Sequence, residues 1–280
     1  MIFMISLIIN ADDLGINPDR DRGIIEAFEH GIVTSSTMLA NGPSFATATV
    51  QASAIGIPVG IHLNLSDGVT LTGPIKGLTD QDNKLPGKRR LRCYLLGNDH
   101  DLAGIRREFS AQIEKIMETG LNPGHIDGHQ HCHSYPALIE MVIDLAREYD
   151  LDAMRSFCPE EPSGAENPGE LAEDLSLFHG LGQKARKVIR ASVIRTPDGL
   201  WGLPQLHSLD TAGLCMLLEK LPEGYWELMT HPGYPHPQGR AFEGEQRLVE
   251  VQALCSAEAK DVINRRAIRL CTFGELPCVS

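Results

Sequence analysis

Four short clusters in this 280-residue chain carry side chains able to do chemistry. The first, residues 10–15 (NADDLG), sets Asp12 beside Asp13. Two ionised carboxylates repel, so burying both requires a cation or hydrogen bonds in compensation. The plainer reading is a helix N-cap followed by an acidic turn. The second, residues 60–65 (GIHLNL), interrupts an apolar run with His62, which taken alone reads as a hydrogen-bonded core histidine. The third, residues 125–133 (HIDGHQHCH), places His125, Asp127, His129, His131 and His133 at alternate positions. An extended backbone would point all five to one face. Four imidazoles and a carboxylate make a poor core; a solvated edge strand is the alternative, but the apolar helix that follows places the run inside the fold. The fourth, residues 229–234 (MTHPGY), ends an apolar run in His231-Pro232-Gly233, by itself no more than a strand entering a turn.

Read as a set, the clusters point to one chemistry. One Asp and two His make the mixed oxygen and nitrogen donor set of a divalent metal site with positions left open for water and substrate. Such an ion polarises an acyl carbonyl and acidifies water. A second, adjacent carboxylate supplies a base, and a histidine from another strand supplies the acid that protonates the leaving group. The sequence therefore predicts metal-assisted hydrolysis.

Elements at regular intervals must position these groups. Residues 4–10 form a continuous apolar run, the pattern of a strand buried on both faces of a parallel sheet. Helical spacing follows over 19–30, a β-rich run over 32–39, a helix over 44–55 and a strand over 58–65. Residues 66–101, rich in Gly, Asp, Thr and Lys, read as a long excursion. Alternation resumes with a helix over 102–119, a strand over 124–127, a helix over 135–149 and a strand over 152–155. A second loop spans 157–169. Helices over 171–191 and 210–220, a strand over 225–230, a helix over 243–266 and a strand over 268–273 complete the chain. About seven β/α units give an α/β fold, a complete or distorted (β/α) barrel in one domain over 1–280, with elaborated loops at 66–101 and 157–169. Each cluster falls at the carboxyl end of a strand, where sites assemble in such folds.

Composition narrows the partners. With 25 Lys and Arg against 37 Asp and Glu the formal charge is −12, the wrong sign for a nucleic-acid partner. Hydrophobic residues make up 42% and charged residues 22%, the balance of a globular protein. Seven scattered cysteines without a Cys-x-x-Cys pair suggest neither a disulfide framework nor a zinc knuckle. The apolar start lacks a basic region and a cleavage site, and no apolar run reaches the ~20 residues of a membrane span. The expectation is a cytoplasmic protein with no membrane insertion.

The motifs NADDLGINPDRDRGIIEAFEHGIVTSSTMLANG (10–42), VGIHLNL (59–65), HIDGHQHCH (125–133), the Arg155 of DAMRS and ELMTHPGY (227–234) occur in one order over nearly the whole chain. In them the sequence resembles the YdjC-like carbohydrate deacetylases, the group containing chito-oligosaccharide deacetylase and the hopanoid-associated deacetylases. The resemblance implies a distorted barrel similar to that of NodB-type polysaccharide deacetylases. It implies Asp13, His62 and His129 as ligands of one divalent ion, Asp12 as the base acting on the attacking water and His231 as the acid. His125, Asp127, His131 and His133 become supporting or substrate-facing groups around His129, and Arg155 a hydrogen-bond donor to the base or the substrate. The implied reaction releases acetate from an N-acetylated sugar, a chito-oligosaccharide such as chitobiose or a related N-acetylglucosamine conjugate. The implied ion is Mg2+, whereas two imidazoles by themselves suit Zn2+ or another transition metal. A homodimer is compatible with the resemblance. The competing readings are hydrolysis of another ester or of a phosphoester, and a non-catalytic sugar- or metal-binding protein.

Overall fold

The computed structural model describes residues 4–156, 170–237, 239 and 241–278. Its strands are β1 (Ile5–Leu14), β2 (Ser35–Met38), β3 (Val59–Leu63), β4 (Ile126–Gly128), β5 (Gly199–Trp201), β6 (Gly224–Thr230) and β7 (Arg269–Leu270). The helices are α1 (Pro18–Glu29), α2 (Phe45–Ile55), α3 (Lys88–Leu95), α4 (Leu102–Met117), α5 (Ile139–Glu148), α6 (Glu170–Ala191), α7 (Thr211–Lys220), α8 (Gln246–Cys255) and α9 (Ala257–Arg265). No helix among the described residues is long and apolar enough to cross a membrane. The six described cysteines are free.

All strand pairings are parallel, in the order β4-β3-β2-β1-β6-β5, with β7 added against β1. Beyond β4 the sheet continues through single bridges, Ile126 to Met154 and Ala153 to Arg195. Arg195 lies just ahead of β5, which pairs with β6, so the path of pairings returns on itself. The expected distorted β/α barrel is the fold that forms.

Alternation along β1 explains its complete burial. Leu7, Ile9 and Ala11 join the main core with helix residues such as Ile24 and Ala27, while Ile8 belongs to a separate cluster with Ala153, Cys271, Phe273 and Leu276. This second cluster is the floor of the ring, formed by the segment that follows β7. Asn10 and Asp12 continue the inward row of Ile8 toward the carboxyl end.

Element ends follow local chemistry. Asn17 caps α1, accepting a hydrogen bond from the Arg20 N–H at 2.8 Å, and Pro18 takes the first helical position. The single helix expected over 243–266 is two, because Ser256 adopts an extended conformation that ends α8 and caps α9. No Gly or Pro marks that break. The 66–101 excursion contains α3, whose buried residues are Leu91 and Leu95; one i, i+4 pair leaves little periodic signal. The helix expected from residue 135 begins at Ile139, and the last strand shrinks to Arg269–Leu270. The loop expected over 157–169 lies outside the described residues.

Candidate active site

Adjacent residues of a regular strand face opposite ways, yet Asp12 and Asp13 are both buried and both reach the site. The reason is an irregularity at the end of β1. The register with β2 shifts between Ala11 and Leu14, and Asp13 adopts φ 74°, a left-handed conformation that aspartate tolerates better than most residues. The bulge re-aims the second carboxylate toward the same opening as the first.

Asp13 meets two imidazoles. Its Oδ1 lies 2.7 Å from His129 Nδ1 and 3.3 Å from His62 Nε2, and it is buried without receiving a well-aligned N–H. Donor atoms of Asp13, His62 and His129 all fall within 4.8 Å of one another. An under-satisfied buried carboxylate oxygen facing two ring nitrogens fits a shared cation, so this group could hold a metal ion.

The far side of each imidazole is held by a further carboxylate. His62 Nδ1 lies 2.6 Å from Asp127 Oδ1, and His129 Nε2 lies 2.8 Å from Asp67 Oδ2. Carboxylate–imidazole pairs of this kind fix ring orientation and tautomer around metals. Burial works to lower both histidines, but the carboxylates prevail: Asp127 and Asp13 hold His62 up at about 9, and Asp13 and Asp67 hold His129 at about 10. Burial would raise Asp13, yet the neighbouring imidazoles, chiefly His129, and Arg20 keep it well below the usual carboxylate range.

Asp12 sits one step deeper. Arg155 Nη1 donates to its Oδ2 at 2.7 Å and Nη2 to its Oδ1 at 2.6 Å, and Asn10 Nδ2 adds a 2.8 Å bond to Oδ1. Burial opposes ionisation, but Arg155, His62 and His231 outweigh it and leave Asp12 a firm anion. His231 follows β6, with Nε2 3.9 Å from Asp12 Oδ2. Burial lowers its ring to about 3 against the pull of Asp12 and Asp13. Its backbone is pinned by Glu250, which accepts from the His231 N–H at 2.8 Å and is itself paired with Arg247 at 2.7 Å. Helix α1 needs glycine where the turn after His231 packs on it: a Cβ on Gly23 would stand 2.4 Å from Gly233 Cα.

The expectation that His125, Asp127, His129, His131 and His133 share one face fails. Extended backbone ends at Gly128, and a 3-10 turn over His129–Ser134 with left-handed Gln130 and His131 breaks the alternation. Asp127 and His129 enter the site. His125 instead stacks on Phe273 of the floor at 3.6 Å, over Gly60, where a Cβ would come within 2.3 Å of the ring. His131 packs edge-on against Phe178, and His133 is fully buried beside Gly128. Burial foremost holds His125 and His131 well below the usual histidine range and His133 at about 3.

Residues 10–13, 62, 127–129, 155 and 231 thus converge from separate strands. Sequence reasoning passed over Asp67, five positions beyond His62 and already in the excursion; Glu227, inside a quoted motif but given no role; and Arg20, 3.5 Å from Asp13 Oδ2. The signal for Asp67 is only its place just after a histidine-bearing strand.

Fold and site together define a β/α-barrel protein that gathers Asp and His donors at the carboxyl ends of parallel strands. The model of one family, described as YdjC-like protein, matches residues 6–265, and the chain belongs to that family. It is 31% identical to a carbohydrate deacetylase of Xenopus laevis, covering 97% of this chain and 98% of that protein. It is 30% identical to a carbohydrate deacetylase of Brevibacillus brevis, over 96% and 99%. Among solved structures, a candidate cellobiose-phosphate cleavage protein of Enterococcus faecalis matches with a TM-score of 0.73 at 29% identity, over 96% of this chain and 98% of that one.

Proposed function

We propose that this protein removes the acetyl group from an N-acetylated sugar by metal-assisted hydrolysis, acting on a chito-oligosaccharide such as chitobiose or a related N-acetylglucosamine conjugate. The class, a carbohydrate deacetylase, rests on family membership and on full-length relatives of that name. The observation that carries the mechanism is the under-satisfied Asp13 Oδ1 facing His62 and His129, with Asp12 and His231 beside it.

In this reading Asp13, His62 and His129 hold one divalent ion. When bound, the ion would polarise the acyl oxygen and lower the pKa of a water beside Asp12. The rest falls to the chain's own side chains. Asp127 and Asp67 keep His62 and His129 turned toward Asp13. Arg155 holds Asp12 by both oxygens, so the base stays ionised and fixed. The proton taken by Asp12 Oδ2 has a neutral imidazole nitrogen, His231 Nε2, 3.9 Å away. His231 then delivers a proton to the nitrogen as the C–N bond breaks, releasing acetate and an amino sugar. The reading also takes the protein as cytoplasmic, with no nucleic-acid partner, and is compatible with a homodimer.

The test is acetate release from N-acetylated mono- and oligosaccharides, chitobiose included, after reconstitution with Mg2+, Mn2+, Co2+ or Zn2+. Chitobiose turnover that depends on one of these ions is the expected result. Acetate from none of the sugars would overturn the reading, and phosphate release from phosphorylated sugars in the same screen would replace it with phosphoester hydrolysis.

A further inference from the structure

We propose that the guanidinium of Arg155 stands where a second divalent cation would otherwise bind, so that the protein holds one ion and becomes a two-ion protein when that guanidinium is removed. The inference rests on the reading that Asp13, His62 and His129 hold the first ion.

Beside that first group lies a second buried set, Asp12, His62 and Asp127, whose donor atoms also fall within 4.8 Å of one another. His62 is common to both sets; its Nε2 faces Asp13 and its Nδ1 faces Asp127. Arg155 reaches into the second set. Besides its paired bonds to Asp12, Nη1 lies 2.9 Å from Asp127 Oδ2, and Nη2 lies 2.7 Å from Glu227 Oε1. Three carboxylates from β1, β4 and β6 therefore surround one cation, and none of the four residues is more than 2% exposed.

Arg155 is the one guanidinium among these three acidic groups, His62 lies beside Asp127, and Glu227 Oε2 is buried with no partner. An oxygen-rich set of this kind, next to a first ion, is what a second hard divalent cation takes in two-metal hydrolases. Arg155 supplies a positive charge that cannot exchange and cannot ligate water. It thereby keeps Asp12 a hydrogen-bond acceptor, free to act as a base, where a metal would make it a ligand. Without Arg155 the buried carboxylates must take up protons or another cation.

The probe is Mn2+, whose stoichiometry is read by equilibrium dialysis and whose nuclearity is read by electron paramagnetic resonance. Wild-type protein at saturating Mn2+ should bind one ion per chain with an uncoupled spectrum. Arg155→Met, shown to be folded by circular dichroism, should bind two with an exchange-coupled spectrum, and Arg155→Lys, which keeps the charge, should return to one. A folded Arg155→Met that binds a single ion overturns the inference. So does a coupled pair in the wild type, a measurement that needs no variant. A wild type that binds no ion at all overturns the metal reading beneath it, an outcome distinct from either.

Discussion

His62 and Asp127 are direct partners across neighbouring parallel strands, and His62 Nδ1 lies 2.6 Å from Asp127 Oδ1. Sheet register alone brings them together. One strand further, Arg155 takes the other oxygen of Asp127, so a single carboxylate orients a proposed ligand and anchors the group that holds the proposed base.

The matching carboxylate on His129 is Asp67, and it offers the cleaner test because Asp127 also anchors Arg155. Asp67→Asn should weaken divalent-ion binding by about 10- to 100-fold, the usual cost of losing such a partner. Calorimetric titration of the ion-free protein measures it; unchanged affinity removes Asp67 from that role.

Asp12→Asn should abolish turnover while sparing the ion, because Asp12 contacts Arg155 and Asn10 and is not one of the three proposed ligands. A fall in kcat of about 100-fold or more is expected from loss of a general base. Metal analysis and acetate release on the same sample separate the two effects, and near-normal turnover would show the base to lie elsewhere.

His231→Gln should lower kcat by about 10²- to 10⁴-fold with the ion retained. His62→Ala and His129→Ala should lose the ion instead. If His231→Gln lost the ion and His62→Ala kept it, the roles would have to be exchanged.

Acid should unfold the ion-free protein early. His125 and His131 are held well below their ordinary range and His133 at about 3, in each case through burial first. In the unfolded chain each takes a proton near 6.5, in the folded chain only at much lower pH. The stability these neutral rings lend is therefore whole above pH ~6.5 and is lost as pH falls toward 3, at up to about 1.4 kcal/mol per pH unit for each. His125→Phe keeps the stack on Phe273 and removes one of these protons. Urea unfolding between pH 7 and pH 4.5 should show a shallower loss in this variant, and an unchanged slope would mean that His125 already carries its proton in the fold.

Gly23→Ala should damage the site from a distance. The added methyl has no room against Gly233 Cα and would push the His231 turn off α1. Overpacking of this kind costs about 1–3 kcal/mol. The melting temperature should drop together with kcat, while ion binding persists; an intact melting temperature would mean that the turn yields freely.

The elements that periodicity could reveal were legible in the chain alone. The apolar runs of β1, β3 and β6 and the alternation with α1, α2 and α4 were enough for a parallel β/α barrel, because buried strands and amphipathic helices write their surroundings into nearby residues. Clusters at strand ends contain Asp12, Asp13, His62, His129 and His231, the family resemblance is what picks these five out of them, and all five gather at one opening. Short or locally unmarked features escaped: α3 buries two leucines, β5 has three residues, and Ser256 divides α8 from α9 with no Gly or Pro to announce it.

Tertiary structure decided what lies between those residues. Strand alternation would have kept all five polar positions of 125–133 on one face, but two left-handed residues turn the chain after His129 and send His131 to Phe178, while His125 lies one layer below Asp127, on the floor. Asp12 and Asp13 share one opening only because of the bulge in β1. The pairing of Asp12 with Arg155 spans 143 positions and that of His129 with Asp67 spans 62. Local sequence sets the hydrophobic period and the turn chemistry; which distant charges compensate one another is set by how the strands close the ring.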